Sequence, residues 1–326
     1  MPITSVSSDP TALTLTVVAD YPVSVERLWE AYVDPRQLER FWGPVEYPAT
    51  FTRHDMAVGG LSHYYMVGPS GDRHDGWWRC LRIEPMRLLE LEDGFANGDQ
   101  TMNDGLPVMR MVFSFEQTAT GSRFTGVTTF PSIEEMEQMV QMGMMEGMKS
   151  AMSQTDAVLA DLASFAATRA TEAKLLSDTQ VRVSRVIRGS VDQVWRAHHD
   201  ASLVQRWLLG PDGWTMPVCE IAATVGGHYR YEWENAKLGQ RFGFEGELLE
   251  MAAPHRAVTT EQMIGVPGAS TRNELTLTTV PGGTLMALVI TYPSKEVRDR
   301  ILGTGMTTGM EASYARLERD VLAAAS

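Results

Sequence analysis

Seven methionines fall within seventeen residues, at Met136, Met139, Met142, Met144, Met145, Met148 and Met152. Five of them, Met136, Met139, Met144, Met148 and Met152, recur at the spacing of one helix face. Thioether side chains are flexible and polarizable, so such a face suits either a core stripe or the wall of a cavity that accepts varied apolar shapes. The aromatic residues point the same way. Tyr229, Tyr231 and Trp233 alternate along one run and so share a strand face, with Trp195, Trp207, Trp214 and Phe244 adding bulk, and Trp29, Trp42, Tyr64, Trp77, Met111 and Phe113 stand in the N-terminal half. With Met139, Met144, Met148, Met306 and Met310, these residues (Trp214 apart) form the candidate ligand-binding set. The chemistry they predict is burial of an apolar molecule, with a few polar anchors, rather than bond making.

The polar candidates are sparser. The seven His (His54, His63, His74, His198, His199, His228, His255) form no zinc-ligand spacing, so no metal site is expected. His54-Asp55 and His74-Asp75 are adjacent, which in a strand sends the two side chains to opposite faces. His198 and His199 end a helix, where a cation meets the helix dipole and a capping role is expected. Arg79, Arg110 and Arg230 are candidates to anchor an enol or carboxylate if their strands turn them inward. No nucleophile elbow, phosphate loop or paired catalytic carboxylates can be read, so no catalytic residue and no cofactor is assigned. Cys80 and Cys219 read as small buried apolar residues with no disulfide between them.

The elements that must position these residues are written twice. SVERLWEAYVDPRQLERF (24–41) recurs as SVDQVWRAHHDASLVQRW (190–207), and PSIEEMEQMVQMGMMEGM (131–148) as PSKEVRDRILGTGMTTGM (293–310), each without a gap. Two such blocks in one order predict a duplicated domain, over residues 11–170 and 176–326. Each copy reads as a strand (Leu13 to Asp20; Val181 to Ile187), two short helices opened by Ser24 or Ser190, a meander of about six strands, and a long C-terminal helix opened by Ser132 or Ser294. The first of these helices is expected to run to about residue 165. The pattern predicts an α+β fold in which a curved antiparallel sheet wraps one helix and encloses space. The Ala-rich stretch between the copies reads as a prolonged helix, and the Gly-rich segment 93–107 as a lid or a surface loop. Gly143 and Gly147, like Gly305 and Gly309, sit four apart, where close packing or a bend must offset the cost of mid-helix glycine.

Composition bounds the function. The chain carries a net charge of −13, and residues 1–170 hold 12 Lys+Arg against 23 Asp+Glu. Nucleic acid and anionic membrane both need a basic footprint, so neither is expected as a partner. No apolar run approaches membrane-span length and no leader is read at the N-terminus, which predicts a cytoplasmic protein.

Several residues carry a resemblance: Ser190 through Trp195, Asp200 and Trp207 to Gly210-Pro211, then Val225 to Tyr231, Pro254-x-Arg256, and the Gly-Met-x-x-Gly-Met helix. In these the chain resembles the homologues of the activator of the heat-shock-protein-90 ATPase, within the START-like, birch-pollen-allergen-like superfamily called SRPBCC. The resemblance covers nearly the whole chain twice and implies two helix-grip domains, each with a cavity between the C-terminal helix and the sheet. It implies a binder or sequestering protein for an apolar, aromatic or polyketide-like small molecule. A polyketide cyclase or aromatase using the same pocket is the alternative, and a stress-related or co-chaperone-like interaction protein, with a protein partner, is a third. The co-chaperone's separate N-terminal domain has no counterpart here.

Overall fold

The computed structural model describes residues 3–266 and 268–323. The chain divides into two compact units, one ending at Ala166 and the other beginning at Ala167.

The first unit runs β1 (Ile3–Asp9), β2 (Thr14–Tyr21), α1 (Val25–Val33), α2 (Pro35–Leu38), β3 (Ala49–His54), β4 (Leu61–Val67), β5 (Arg73–Glu84), β6 (Leu88–Ala96), β7 (Met109–Thr118), β8 (Gly121–Thr129), α3 (Ile133–Gln141), α4 (Met144–Ser153), α5 (Thr155–Ala160) and α6 (Leu162–Ala167). The second repeats the order: β9 (Glu172–Leu175), β10 (Gln180–Ile187), α7 (Val191–His199), α8 (Ala201–Trp207), β11 (Thr215–Glu220), β12 (His228–Asn235), β13 (Gln240–Ala252), β14 (Arg256–Met263), β15 (Thr271–Val280), β16 (Gly283–Thr291), α9 (Lys295–Leu302), α10 (Met306–Leu317) and a π-helical turn, Glu318–Leu322. Each unit holds one eight-stranded antiparallel sheet, in the orders β1-β2-β8-β7-β6-β5-β4-β3 and β9-β10-β16-β15-β14-β13-β12-β11. This is the expected helix-grip architecture in tandem.

Local chemistry sets the elements. Ser24 Oγ accepts from the Arg27 backbone N–H, and Ser190 forms a full capping box with Gln193, so both first helices start where a free N–H meets a hydroxyl. Asp34 and Asp200 then end one helix and cap the next. Along the strands alternate residues turn inward. In β7, Met109, Met111, Phe113 and Phe115 are buried, and Phe113 and Phe115 meet Tyr32 of α1 edge to face. Aromatic contacts of this kind add about 1 kcal/mol beyond burial.

Three expectations about helices and linker are corrected. The C-terminal helix of each unit is not continuous. It stops at Met142 and at Gly303, and restarts after Gly143 (φ +85°) and Gly305 (φ +79°), whose left-handed backbone an L side chain enters only with strain. In the first unit it breaks again around Gln154 and Asp161. The linker is not a prolonged helix either: α6 ends at Ala167 and β9 pairs with β10 at the sheet edge. Arg169 Nη1 donates to the Pro281 carbonyl at 2.9 Å and Thr171 Oγ1 to Glu311 at 2.6 Å, so residues 167–175 lie with the second unit. The N-terminal residues mirror this arrangement, with β1 on β2.

Among the described residues no helix is long and apolar enough to cross a membrane. No group of three or more His, Cys, Asp or Glu side chains there could hold a metal ion.

Candidate functional site

Each unit holds a partly open cavity between its sheet and its C-terminal helices. The first, about 240 Å³, has Leu15, Val17, Tyr64, Met66, Met111, Phe113 and Phe124 of the sheet on one side. Tyr32, Phe41, Trp42 and Pro44 close one end, and Met144, Gly147, Met148, Ala151 and Met152 of α4 form the roof. Gly143 makes that roof a segment of its own. A Cβ at Gly147 would make only ordinary contact, 3.6 Å from Pro44 Cγ.

One carboxyl stands in this apolar space. Asp93 of β6 accepts hydrogen bonds on Oδ1 from Trp78 Nε1 at 2.9 Å and Tyr64 Oη at 3.4 Å. Burial pushes its pKa up to about 7, and the two donors oppose that rise without cancelling it. The Tyr64 phenol, itself desolvated and beside Asp93, is held well above its ordinary range and stays a donor.

The second cavity, about 360 Å³, is wetter in its chemistry. Tyr229, Tyr231, Trp233, Phe244, Leu275 and Ile290 of the sheet face Met306, Met310 and Tyr314 of α10, with Trp207, Leu208, His198 and His199 at the helix end. Glu261, Asn273 and Thr259 also line it. Burial raises the pKa of Glu261 against hydrogen bonds from Asn273 and Tyr229, whose Oη stands 3.3 Å away. His198 Nδ1 donates to the Val194 carbonyl at 2.7 Å, leaving Nε2 as an acceptor buried without a hydrogen-bond partner. Burial depresses its pKa to about 4. The expected cationic cap is therefore a neutral imidazole lining a cavity, because the desolvation of a charge outweighs the helix dipole.

Asp93 and Glu261 hold the same place in their sheets. Asp93 pairs with Met109 and Glu261 with Thr271, and both partners lie twelve residues before the turn glycine that opens the last strand, Gly121 or Gly283. The duplication thus places one inward carboxyl in each copy.

Of the residues singled out in the sequence, Trp42, Tyr64, Met111, Phe113, Met144 and Met148 meet at the first cavity, and Trp207, Tyr229, Tyr231, Trp233, Phe244, Met306 and Met310 at the second. Four lie elsewhere. Trp29 packs edge-on against Phe115 at 5.1 Å, one step beyond the cavity along β7. Trp77 faces the other side of β5, where Gly94 leaves room for its indole and the Arg79 guanidinium lies 5.5 Å from its ring. Its neighbour Trp78 takes the inward position. Met139 lies on α3, ahead of the helix break, against Leu15, Met109, Phe130 and Met136. Trp195 stacks on His199 at 3.8 Å without reaching the cavity wall.

The three candidate anchor arginines face outward in ion pairs, Arg79 with Glu92 and Arg110 with Glu90 across strands, and Arg230 with Glu232 of its own strand and Glu245 of the next. None lines either of these two cavities, since the inward positions of those strands are one residue away. Within segment 93–107, Asp93 to Ala96 continue β6, and the turn beyond is tied by Gln100 Nε2 to Thr52 Oγ1 at 3.3 Å and by Met102 to Arg79. Cys80 is buried and Cys219 half-buried, with thiol pKa values pushed up to about 12 and about 11. Neither is a nucleophile at neutral pH. Sequence reasoning missed Asp93, Trp78 and Glu261. The signal was an acidic residue on the apolar side of an alternating strand, after Leu89 and Leu91 in β6 and after Ala257 and Thr259 in β14.

The family described as Activator of Hsp90 ATPase homolog 1-like protein matches residues 22–160 and 188–321. Among solved structures, one from Mycobacterium smegmatis is similar at 41% identity, covering 49% of this chain and 98% of its own, with a TM-score of 0.47. A solution structure from Arthrobacter aurescens is 44% identical over 48% of this chain and 92% of its own, with a TM-score of 0.47. One from Rhodobacter sphaeroides is 29% identical, covering 48% of this chain and 99% of its own, with a TM-score of 0.45. No curated protein matches the chain.

Proposed function

Because the chain belongs to the family of activator of Hsp90 ATPase homolog 1-like proteins and carries that domain twice, we propose that it binds an apolar, ring-bearing small molecule in the cavity of each unit. It acts by sequestration or carriage in the cytoplasm. The observation that carries this reading is the partly open cavity between sheet and helices, walled by aromatic and thioether side chains in both copies, with one inward carboxyl each. Removing about 300 Å² of apolar ligand surface from water is worth roughly 7 kcal/mol before the cost of association. That is enough for binding and leaves specificity to the few polar groups.

Tryptophan quenching by a panel of polycyclic aromatic compounds, together with native mass spectra of the protein from its own host, tests this. Saturable quenching or a co-purifying molecule supports the reading. Met144→Trp with Met148→Trp fills the first cavity and should remove one of two binding events. A protein that arrives bare and shows no quenching contradicts it.

A second reading, chemistry on the bound molecule of the cyclase or aromatase kind, draws on the inward placement of Asp93 in the first cavity, where burial pushes its carboxyl up to about 7. A carboxyl at about pH 7 is matched to proton transfer. Turnover of a polyketide-like substrate that follows a pKa near 7 and disappears in Asp93→Asn would favour it over carriage.

A further inference from the structure

The first cavity holds a single carboxyl, and half of that carboxyl is unused. Both donors to Asp93, the Trp78 N–H and the Tyr64 O–H, reach Oδ1. Oδ2 has neither a hydrogen bond nor an ion pair among the described residues, and no Lys, Arg or His lines this space. A carboxyl so placed can meet a ligand as an acid, giving its proton to an acceptor, or as a carboxylate, receiving a cation.

Three observations favour the cation. Tyr32, Phe41, Trp42, Phe113 and Phe124 ring the cavity, and aromatic faces attract ammonium groups through their quadrupoles. The two neutral donors on Oδ1 stabilise the charged carboxylate once a cation offsets the penalty of burial. Residues 1–170 hold 12 Lys+Arg against 23 Asp+Glu, a field that draws cations and repels anions. A volume near 240 Å³, the space of about eight waters, suits a body of one or two rings.

Resting on the cavity reading above, we propose that the first cavity selects an arylalkyl amine in its protonated form, with the ammonium on Asp93 Oδ2 and the rings under Met144 and Met148. Neither neutral isosteres nor aromatic acids satisfy both halves of this site. The second cavity has its own carboxyl, Glu261, but adds Asn273, Thr259 and the free acceptor of His198, so the selectivity argued here belongs to the first.

The test uses the full chain with Glu261→Gln, which removes the other cavity's carboxyl. Three matched probes, naphthylethylamine, naphthylethanol and naphthylacetate, are titrated by tryptophan quenching at pH 6 and pH 8. The Asp93 carboxyl, pushed up to about 7 by burial, fixes the signature: its ionised fraction rises about tenfold between these conditions, and amine affinity should rise by the same factor. The alcohol, if it takes the acid's proton, changes in the opposite direction. At pH 8 the amine should bind about tenfold or more tighter than the alcohol, and naphthylacetate weakest of all. Asp93→Asn should abolish both the preference and the pH rise.

Equal affinity for amine and alcohol, or an amine preference that survives Asp93→Asn, overturns the proposal. Alcohol binding that Met148→Trp removes, with no preference for the amine, sinks the amine reading and leaves the cavity reading standing. If none of the three probes binds, both readings fall. Should Asp93→Asn fail to fold, the pH series on the chain with Asp93 intact is decisive: amine affinity that does not rise between pH 6 and pH 8 overturns the proposal.

Discussion

Replacing Asp93 by Asn should stabilise the first unit at pH 8 and by only about 0.5 kcal/mol at pH 4. The Asp93 carboxyl is raised from 3.8 to about 7 by burial. Below about pH 3 it is neutral in the folded and the unfolded chain alike, and the substitution changes no charge. Between pH 4 and 7 the unfolded chain ionises while the folded one holds its proton, so stability falls as pH rises, by up to about 1.4 kcal/mol per unit. Above pH 7 the loss is complete, at roughly 4 kcal/mol, or about half that where cavity water screens the charge. Asn is neutral throughout and keeps a carbonyl oxygen for the Trp78 and Tyr64 donors. Urea melts of the full chain at pH 4, 6 and 8, followed by tryptophan fluorescence, read the difference, and the second unit's transition serves as an internal reference. A stability difference that is the same at pH 4 and pH 8, or one that favours the wild type at pH 8, would refute the placement of this carboxyl.

Three more expectations follow from the geometry. His198, depressed to about 4 by burial, contributes stability that is complete above its unfolded pKa near 6.5 and is lost as pH falls through 4, about 3 kcal/mol in all; its ring resonances in NMR should not titrate above pH 5, and a midpoint near 6.5 counts against the buried neutral ring. Gly143→Ala and Gly147→Ala, four residues apart, should act with opposite sign: the first strains a left-handed residue and costs about 1 kcal/mol, while the second gains roughly 0.5 to 1 kcal/mol in a helix where its methyl meets only Pro44 at 3.6 Å. Thermal melts of the two variants decide it, and a shift of the same sign in both would contradict the break in the helix. Gly94→Ala places a methyl 2.8 Å from the Trp77 indole and should destabilise by about 1 to 3 kcal/mol, as overpacking does; a neutral urea midpoint would mean that the indole lies elsewhere.

Much of the fold was legible because it rests on local rules repeated in two copies. The Ser caps and the order of elements each appear twice, so one copy checks the other. The edge strands β1, β3, β9 and β11 were not legible: edge positions are half-solvated and carry mixed residues such as TMPVCE, with no clean alternation. The helix breaks were hidden for a different reason. Glycine at 143 and 305 was visible, but whether it serves close packing or a positive φ is decided by the backbone, not by composition. At the cavity, the adjacent pair Trp77-Trp78 leaves the inward residue undetermined, since shifting a strand by one residue exchanges its faces. Asp93 reads in the sequence as the start of a loop because acidic residues usually mark strand ends. Burial in an apolar wall is the exception.

The matching ladder positions of Asp93 and Glu261 have a consequence for how such a chain can change. Both cavities are carried on one polypeptide, so every molecule made supplies them in equal number, whatever the level of expression. Substitution at His198 or Asn273 alters the wall of one and leaves the wall of the other as it was. On the binding proposed above, duplication lets one copy keep its receptor while its twin drifts toward a different guest, with the inward carboxyl as the inheritance both retain.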